Sequence, residues 1–150
     1  MNVIIMGSGR SGTMLARTLS GAGHTVTVID LNRHNASSLD GEKVASGAIR
    51  IVEGDGMRDE ALEEAGISEA DLFVALTGND SVNGLAALKA KMAFRVMTVI
   101  AAVSSIDLSN VYESLGVACV NPGRLTADAI VETVPEALSS IGGGAAGARN

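Results

Sequence analysis

The stretch Val3-Ile4-Ile5-Met6-Gly7-Ser8-Gly9-Arg10-Ser11-Gly12 decides the fold. It runs from a short apolar segment into glycines spaced G-x-G-x-x-G, and a helical pattern follows. Each glycine permits something different. Gly7 lets the chain turn sharply out of a strand, Gly9 has no side chain to block a pyrophosphate, and Gly12 lets the next helix pack close to a sheet. The first N–H groups of that helix have no partner inside it and lie at the positive end of its dipole. The turn therefore reads as an anion site made of backbone. Thr25-Val26-Thr27-Val28-Ile29 reads as a second strand ending in Asp30. That carboxylate lies about twenty residues beyond the glycines, where a dinucleotide fold places the group that accepts ribose hydroxyls. The competing reading is a strand-to-helix turn with no ligand.

Outward from this stretch, apolar strand-like runs alternate with helical patterns as far as residue 138, which argues for βαβ units on a parallel sheet. Six strands are expected near 2–6, 25–29, 49–53, 71–76, 96–103 and 117–120. Most are continuous apolar runs, as befits strands covered on both faces. Helices are expected over 10–22, with Met14, Leu15, Leu19 and Ala22 toward the sheet, and more weakly over 32–44. Others fall at 57–65, 80–93 and 106–115. Asn121-Pro122-Gly123 reads as a turn, and a last helix carries Leu125, Ile130, Val131, Val134 and Leu138 until Pro135 kinks or ends it. With right-handed crossovers the fold class is α/β: a Rossmann-like, doubly wound, six-stranded parallel sheet of order 3-2-1-4-5-6. Its crevice lies at the carboxyl ends of strands one and four. Residues 1–138 form one nucleotide-binding domain, and 139–150 read as a flexible Gly/Ala-rich tail or a truncated linker.

Composition narrows the function. The chain carries 11 basic and 17 acidic residues, 11 − 17 = −6, which disfavours nucleic acid and anionic lipid as partners. The longest apolar runs, such as Val99-Ile100-Ala101-Ala102-Val103, are too short to cross a bilayer, and no cationic leader opens the chain. A cytoplasmic protein without direct membrane insertion is the expectation. Cys119 is the sole cysteine, so an intramolecular disulfide is impossible and a buried small hydrophobe is the better reading. Asn35-Ala36-Ser37 matches a glycosylation sequon by chance.

Two further segments end strands on the crevice side. Gly54-Asp55-Gly56 leaves room for an adenine, and Asp55 either accepts a hydrogen bond from the base or caps the next helix. In Thr77-Gly78-Asn79-Asp80-Ser81-Val82-Asn83, Thr77 faces ribose or phosphate while Asp80 or Asn79 caps the long helix. Arg10 either donates to phosphate or is a solvated surface arginine. Arg58, Lys89, Lys91 and Arg95 read as exposed helix residues. Catalytic groups are not evident. His24 and His34 have no Cys, Ser or metal-ligand spacing near them, Tyr112 lacks a lysine four residues on, and there is no Gly-Lys-Ser/Thr signature.

With these blocks in order, the chain resembles the TrkA-N domain, also called KTN or RCK-type, of potassium-transport regulators. The resemblance rests on Met6 to Gly12 with its internal Arg10, Val28-Ile29-Asp30, Glu53-Gly54-Asp55-Gly56, Leu62-Glu63-Glu64-Ala65-Gly66-Ile67, Ala70-Asp71-Leu72, Leu76 to Asn83, Leu115-Gly116-Val117 and Asn121-Pro122. It implies a cytoplasmic, nucleotide-sensing regulatory subunit, peripheral to the inner membrane through a potassium channel or transporter subunit. Such a subunit binds NAD(H) or ATP/ADP and works as a homodimer or a higher ring. The candidate nucleotide contacts are then Gly7, Ser8, Gly9, Arg10, Ser11, Gly12, Asp30, Leu31, Asp55, Gly56, Thr77, Gly78, Asp80 and Asn83. Two departures stand out. The family often has Ala-Thr where this chain has Gly56-Met57, and an arginine near the end of strand five where it reads Ala101-Ala102-Val103, which counts against ATP. Asp30 disfavours NADP, though Arg33 is near enough to soften that. The alternative is an NAD-dependent oxidoreductase fragment lacking its substrate domain, and a third reading is a scaffold that only dimerises.

Overall fold

The computed structural model describes residues 1–39 and 41–134. They fall into two units, Met1–Val120 and the segment beginning at Asn121. The first unit is built on six strands: β1 (Asn2–Met6), β2 (Thr25–Asp30), β3 (Ile49–Glu53), β4 (Leu72–Ala75), β5 (Thr98–Ala102) and β6 (Ala118–Val120). They form one sheet in the order β3-β2-β1-β4-β5-β6, and each neighbouring pair is parallel. This is the doubly wound order expected from the sequence.

Alternation along each strand divides the core into two layers. Val3, Ile5, Val26 and Val28 pack on one face with Ala16, Leu15 and Leu19 of α1 (Arg10–Gly21), Ala36 and Leu39, and Val44 of α2 (Gly41–Ala45). Ile4, Met6, Ile29 and Phe73 face the other way, toward α3 (Asp59–Glu64), α4 (Asp80–Met92) and α5 (Ile106–Ser114). Burying both faces explains the unbroken apolar run Val3 to Met6 of β1, while β2 interrupts its valines with the buried Thr27. Small residues bring α4 close: Ala86, Ala87 and Ala90 are fully buried, and the ring of Tyr112 lies where a side chain on Gly84 would be. The Tyr112 hydroxyl donates to the Ser81 carbonyl at 3.3 Å and ties α5 to the first turn of α4.

Several local expectations are corrected. Met14 does not face the sheet; it is 70% exposed, and Gly12, Thr13 and Ala16 are the buried residues of α1. Ala22 is also exposed, as the cap beyond the helix. The helix expected over 32–44 is instead a 3-10 segment, Arg33–Ser38, followed by the short α2, with Leu39 extended (φ −68°, ψ 149°) between them. Asn32 caps the 3-10 segment, its side chain accepting from His34 N at 2.9 Å, and the break falls at Leu39, where the extended backbone ends that segment. A second 3-10 turn, Ile67–Glu69, was not anticipated; it follows Gly66 in the left-handed region at φ +81°. In the second unit, Asn121-Pro122-Gly123 is not a turn before the helix but its start. Asn121 Oδ1 accepts from Arg124 N at 3.0 Å, and Pro122 occupies the first helical position of α6 (Pro122–Thr133). Proline suits that place because its missing N–H is one the helix leaves unpaired anyway. Leu138, Pro135 and the expected 139–150 tail lie outside the described residues.

Candidate functional site

Two of the three glycines of the turn have no room for a side chain. Gly7 sits at φ +105°, and a Cβ there would lie 2.8 Å from the Leu76 carbonyl oxygen. A Cβ on Gly12 would lie 2.0 Å from the Gly7 carbonyl oxygen. Gly9 differs: its backbone is extended (φ −64°, ψ −172°), and a Cβ added there meets nothing within 4 Å. Packing therefore explains Gly7 and Gly12 but not Gly9. Gly9 is also the N-cap of α1 and offers no side-chain cap; the first helical bond runs from Thr13 N to the Gly9 carbonyl at 2.9 Å. The amides of Arg10, Ser11 and Gly12 thus precede the hydrogen-bonded turns, at the positive end of the helix dipole. Arg10 and Ser11 are exposed at this end, and no ion pair of Arg10 occurs among the described residues.

Across the turn stands Asp30, at the end of β2. Its Oδ2 accepts from Ser8 N at 2.8 Å and Ser8 Oγ at 2.6 Å. Its Oδ1 accepts from Asn32 N at 3.0 Å and Asn35 Nδ2 at 2.8 Å. Partial burial pushes the carboxyl pKa up, but the bonds from the Ser8 hydroxyl, the Asn32 and Ser8 amides and Asn35 outweigh it and hold the pKa below the usual value. A carboxylate with a lowered folded pKa stabilises the fold above its unfolded pKa, and that contribution fades as pH falls through the folded one. Thermal unfolding should therefore show an acid slope setting in below about pH 4. In Asp30→Asn that slope should be shallower; an unchanged slope would remove Asp30 from the explanation.

The third wall follows β3. Asp55 Oδ1 accepts from Met57 N at 2.9 Å, which makes a local turn rather than a helix cap, and α3 begins only at Asp59. Gly56 lies over Met6, whose Sδ would be 2.4 Å from an added Cβ. Lys89 is not the bare surface lysine expected. Its Nζ donates to the Met57 carbonyl at 2.6 Å and pairs with Asp59, so it braces the Asp55 loop against α4. Lys91 also departs from the expectation, since its alkyl chain lies beside Gly116.

At the strand-order reversal, Asn83 organises the end of β4. It is fully buried, and its Oδ1 accepts from Thr77 N and Thr77 Oγ1 at 2.9 and 2.6 Å. Its Nδ2 donates to the Thr77 and Ala102 carbonyls at 3.0 and 2.8 Å. All four polar positions of the amide are used. Asn79, not Asp80, caps α4, accepting from Val82 N at 3.0 Å. Asp80 instead accepts from Ser104 N and Ser105 N, both at 2.9 Å, and fastens the loop after β5. Asp80 and Asn83 thus shape the crevice from behind.

These walls enclose a cleft of about 250 Å³ at the carboxyl ends of β1 and β4. Of the sequence candidates, Gly7, Gly9, Asp30, Leu31, Asp55, Gly56, Thr77 and Gly78 line it. Gly54, read with Asp55 and Gly56 as space for a base, lines it as well, and so do Met6, Ile29, Leu76 and Val82, for which strand ends and a helix residue give no motif of their own. Ser8, Arg10, Ser11, Gly12, Asp80 and Asn83 do not form its surface. A second hollow, bounded by Arg33, His34, Ser37, Ile51 and Glu53, lies beside the 3-10 segment and has no glycine turn or helix start to receive an anion.

Residues 3–122 match the family model described as the TrkA-N domain. The chain belongs to the TrkA-N family. Among curated relatives of this TrkA-N chain, it is 39% identical over 132 residues to "Trk system potassium uptake protein TrkA" of Streptomyces coelicolor, covering 85% of this chain and 56% of the relative. It is 43% identical over 101 residues to "Trk system potassium uptake protein TrkA homolog" of Pyrococcus abyssi, covering 67% and 43%. The chain thus spans about half the length of these curated relatives. Among solved structures it resembles the C-terminal domain of Kef from Shewanella denitrificans in its AMP-bound form. The TM-score is 0.71 at 26% identity, over 95% of this chain and 82% of that one. The Rossmann-like sheet of this TrkA-N domain, inferred from ten opening residues and their echoes, is the fold observed.

Proposed function

We propose that this TrkA-N domain is a non-catalytic, nucleotide-sensing module of a potassium-transport system. The observation that carries the reading is Gly9: an N-terminal helix turn opens onto the cleft at a glycine no packing demands. Phosphate fits there because backbone amides meet it and no side chain intervenes. Asp30 stands where a ribose would lie, and Gly54, Asp55 and Gly56 leave space for a base. NAD(H) or ADP/ATP are the candidate ligands. The described AMP-bound form of the Kef domain favours an adenine nucleotide, and the lack of an arginine in Ala101-Ala102-Val103 favours fewer phosphates than ATP.

The names of the relatives point to potassium uptake as the process served. The partner proposed from those names is a membrane-embedded channel or transporter, on which the module acts from the cytoplasmic side. Among the described residues no helix is long and apolar enough to cross a membrane. A ligand that binds one conformation of the assembly better shifts the population toward it. In a single chain Leu125, Ile130 and Val131 of α6 are more than half exposed, an apolar set suited to a second copy.

Calorimetric titration of purified protein with ADP and NADH tests this reading, with sedimentation run on the same samples. Saturable binding below millimolar concentration and a dimer are expected. No binding at millimolar ligand, or turnover of NADH by the protein alone, would overturn the sensor assignment, and a monomer at every concentration would overturn the dimer.

A further inference from the structure

The carboxylate assigned to the sugar is fully engaged. A carboxylate offers about four lone-pair positions, two on each oxygen. Ser8 N and Ser8 Oγ take those on Oδ2, and Asn32 N and Asn35 Nδ2 take those on Oδ1. Ribose hydroxyls arriving at Asp30 find no free acceptor position and must replace a donor already in place.

The four donors differ in how readily they yield. Ser8 N and Asn32 N are backbone, and moving them means moving the glycine turn or the end of β2. Ser8 is 2% exposed, so its hydroxyl would rotate into surroundings without water. Asn35 is exposed and sits in the 3-10 segment Arg33–Ser38, so its amide passes into solvent at little cost. We propose that Asn35 is an autoinhibitory stand-in for the ribose: its amide holds the sugar's place on Asp30, and a nucleotide docks by displacing it. The proposal rests on the nucleotide reading above.

Displacement has a consequence beyond the cleft. The Asn35 bond to Asp30 is a direct tie from the 3-10 segment to the site; the segment is further held by the Asn32 cap on His34 N and by the burial of Ala36 and Leu39. Breaking that tie loosens the surface beside the edge strand β3 while the glycine turn tightens around phosphate. Occupancy is thereby converted into a local change at the domain surface, without movement of the sheet.

The test compares ADP with pyrophosphate, which has no sugar, in titrations of the wild type and Asn35→Ala. ADP should bind the variant about three- to tenfold more tightly, the net value of a hydrogen bond to a charged group less the resolvation of the freed amide. Pyrophosphate affinity should not change. Hydrogen exchange of the wild type provides a second readout that needs no variant: ADP should slow exchange at residues 8–13 and speed it at 34–38. Equal or weaker ADP binding by Asn35→Ala, an equal gain for pyrophosphate, or slowed exchange at 34–38 would each overturn the proposal. If the wild type binds ADP and the variant gains nothing, only the stand-in falls. If neither protein binds ADP at millimolar concentration, the nucleotide reading falls and takes the stand-in with it.

Discussion

Gly9→Val is expected to weaken ADP binding by at least about 100-fold while lowering the thermal midpoint by no more than about 4 °C. The two halves of this result have separate causes. The backbone of Gly9 is extended and a Cβ there meets no atom within 4 Å, so the fold itself has no objection to a side chain. Valine is a poorer N-cap than glycine, which costs about 1 kcal/mol or less. The lost affinity comes from the valine methyls, which stand in front of the first-turn amides of α1 and exclude a phosphate from them. Gly12→Ala should behave in the opposite way. Its methyl would fall 2.0 Å from the Gly7 carbonyl oxygen, a backbone atom that cannot swing aside. A loss of about 3 kcal/mol or more is expected, and with it a midpoint lower by about 10 °C. Urea unfolding and ADP calorimetry on both variants separate the glycine kept for a ligand from the glycine kept for packing. Equal destabilisation by the two substitutions would contradict this division.

Asn83→Asp should be the most damaging change outside the glycine turn, with an expected loss of about 3–5 kcal/mol at neutral pH. The residue is fully buried, and Nδ2 serves two carbonyls, those of Thr77 and Ala102. An aspartate puts an oxygen against both, so it either buries a charge facing two carbonyl dipoles or takes up a proton at a raised pKa. A carboxyl raised in the folded state regains stability as pH falls through that raised value, so the variant should recover part of its deficit on acidification. Urea midpoints across pH for Asn83→Asp, beside Asn83→Ala, check this. A variant within 1 kcal/mol of wild type at neutral pH would show that the Thr77–Ala102 bracket is not holding the crevice together.

The fold was legible because its evidence is local and repeated. The apolar run Val3 to Met6 and the β-branched run Thr25 to Ile29, each feeding a glycine or a carboxylate, specify buried parallel strands, and the crossover rules leave few orders for six of them. What escaped the sequence depends on partners distant along the chain. Either Asn79 or Asp80 suits the cap of α4 by sequence and Asn79 takes it, but nothing in the spacing shows that Asp80 reaches the amides of Ser104 and Ser105. Asn83 was read as a ligand contact, yet its amide is consumed by Thr77 and Ala102. Met14 fits an apolar helix stripe but points outward, because Gly12 and Ala16 bring the other side of α1 against the sheet. Gly84 gave no signal at all, since only the ring of Tyr112, on another helix, explains it. The site was legible in the same proportion: the glycines and Asp30 follow from spacing, whereas the engagement of Asp30 by Asn35, only five residues on, depends on a 3-10 turn where the pattern reads as an α-helix.

The claim on which the rest depends is that bare amides at the start of α1 receive a phosphate while Asp30 faces its sugar. The most direct test is a backbone amide NMR titration of the isotopically labelled protein with ADP. The largest shifts are expected at Gly7 to Gly12, with further shifts at Asp30, Leu31, Thr77 and Gly78. A spectrum that does not change at millimolar ADP, or shifts that cluster away from the glycine turn, would contradict it.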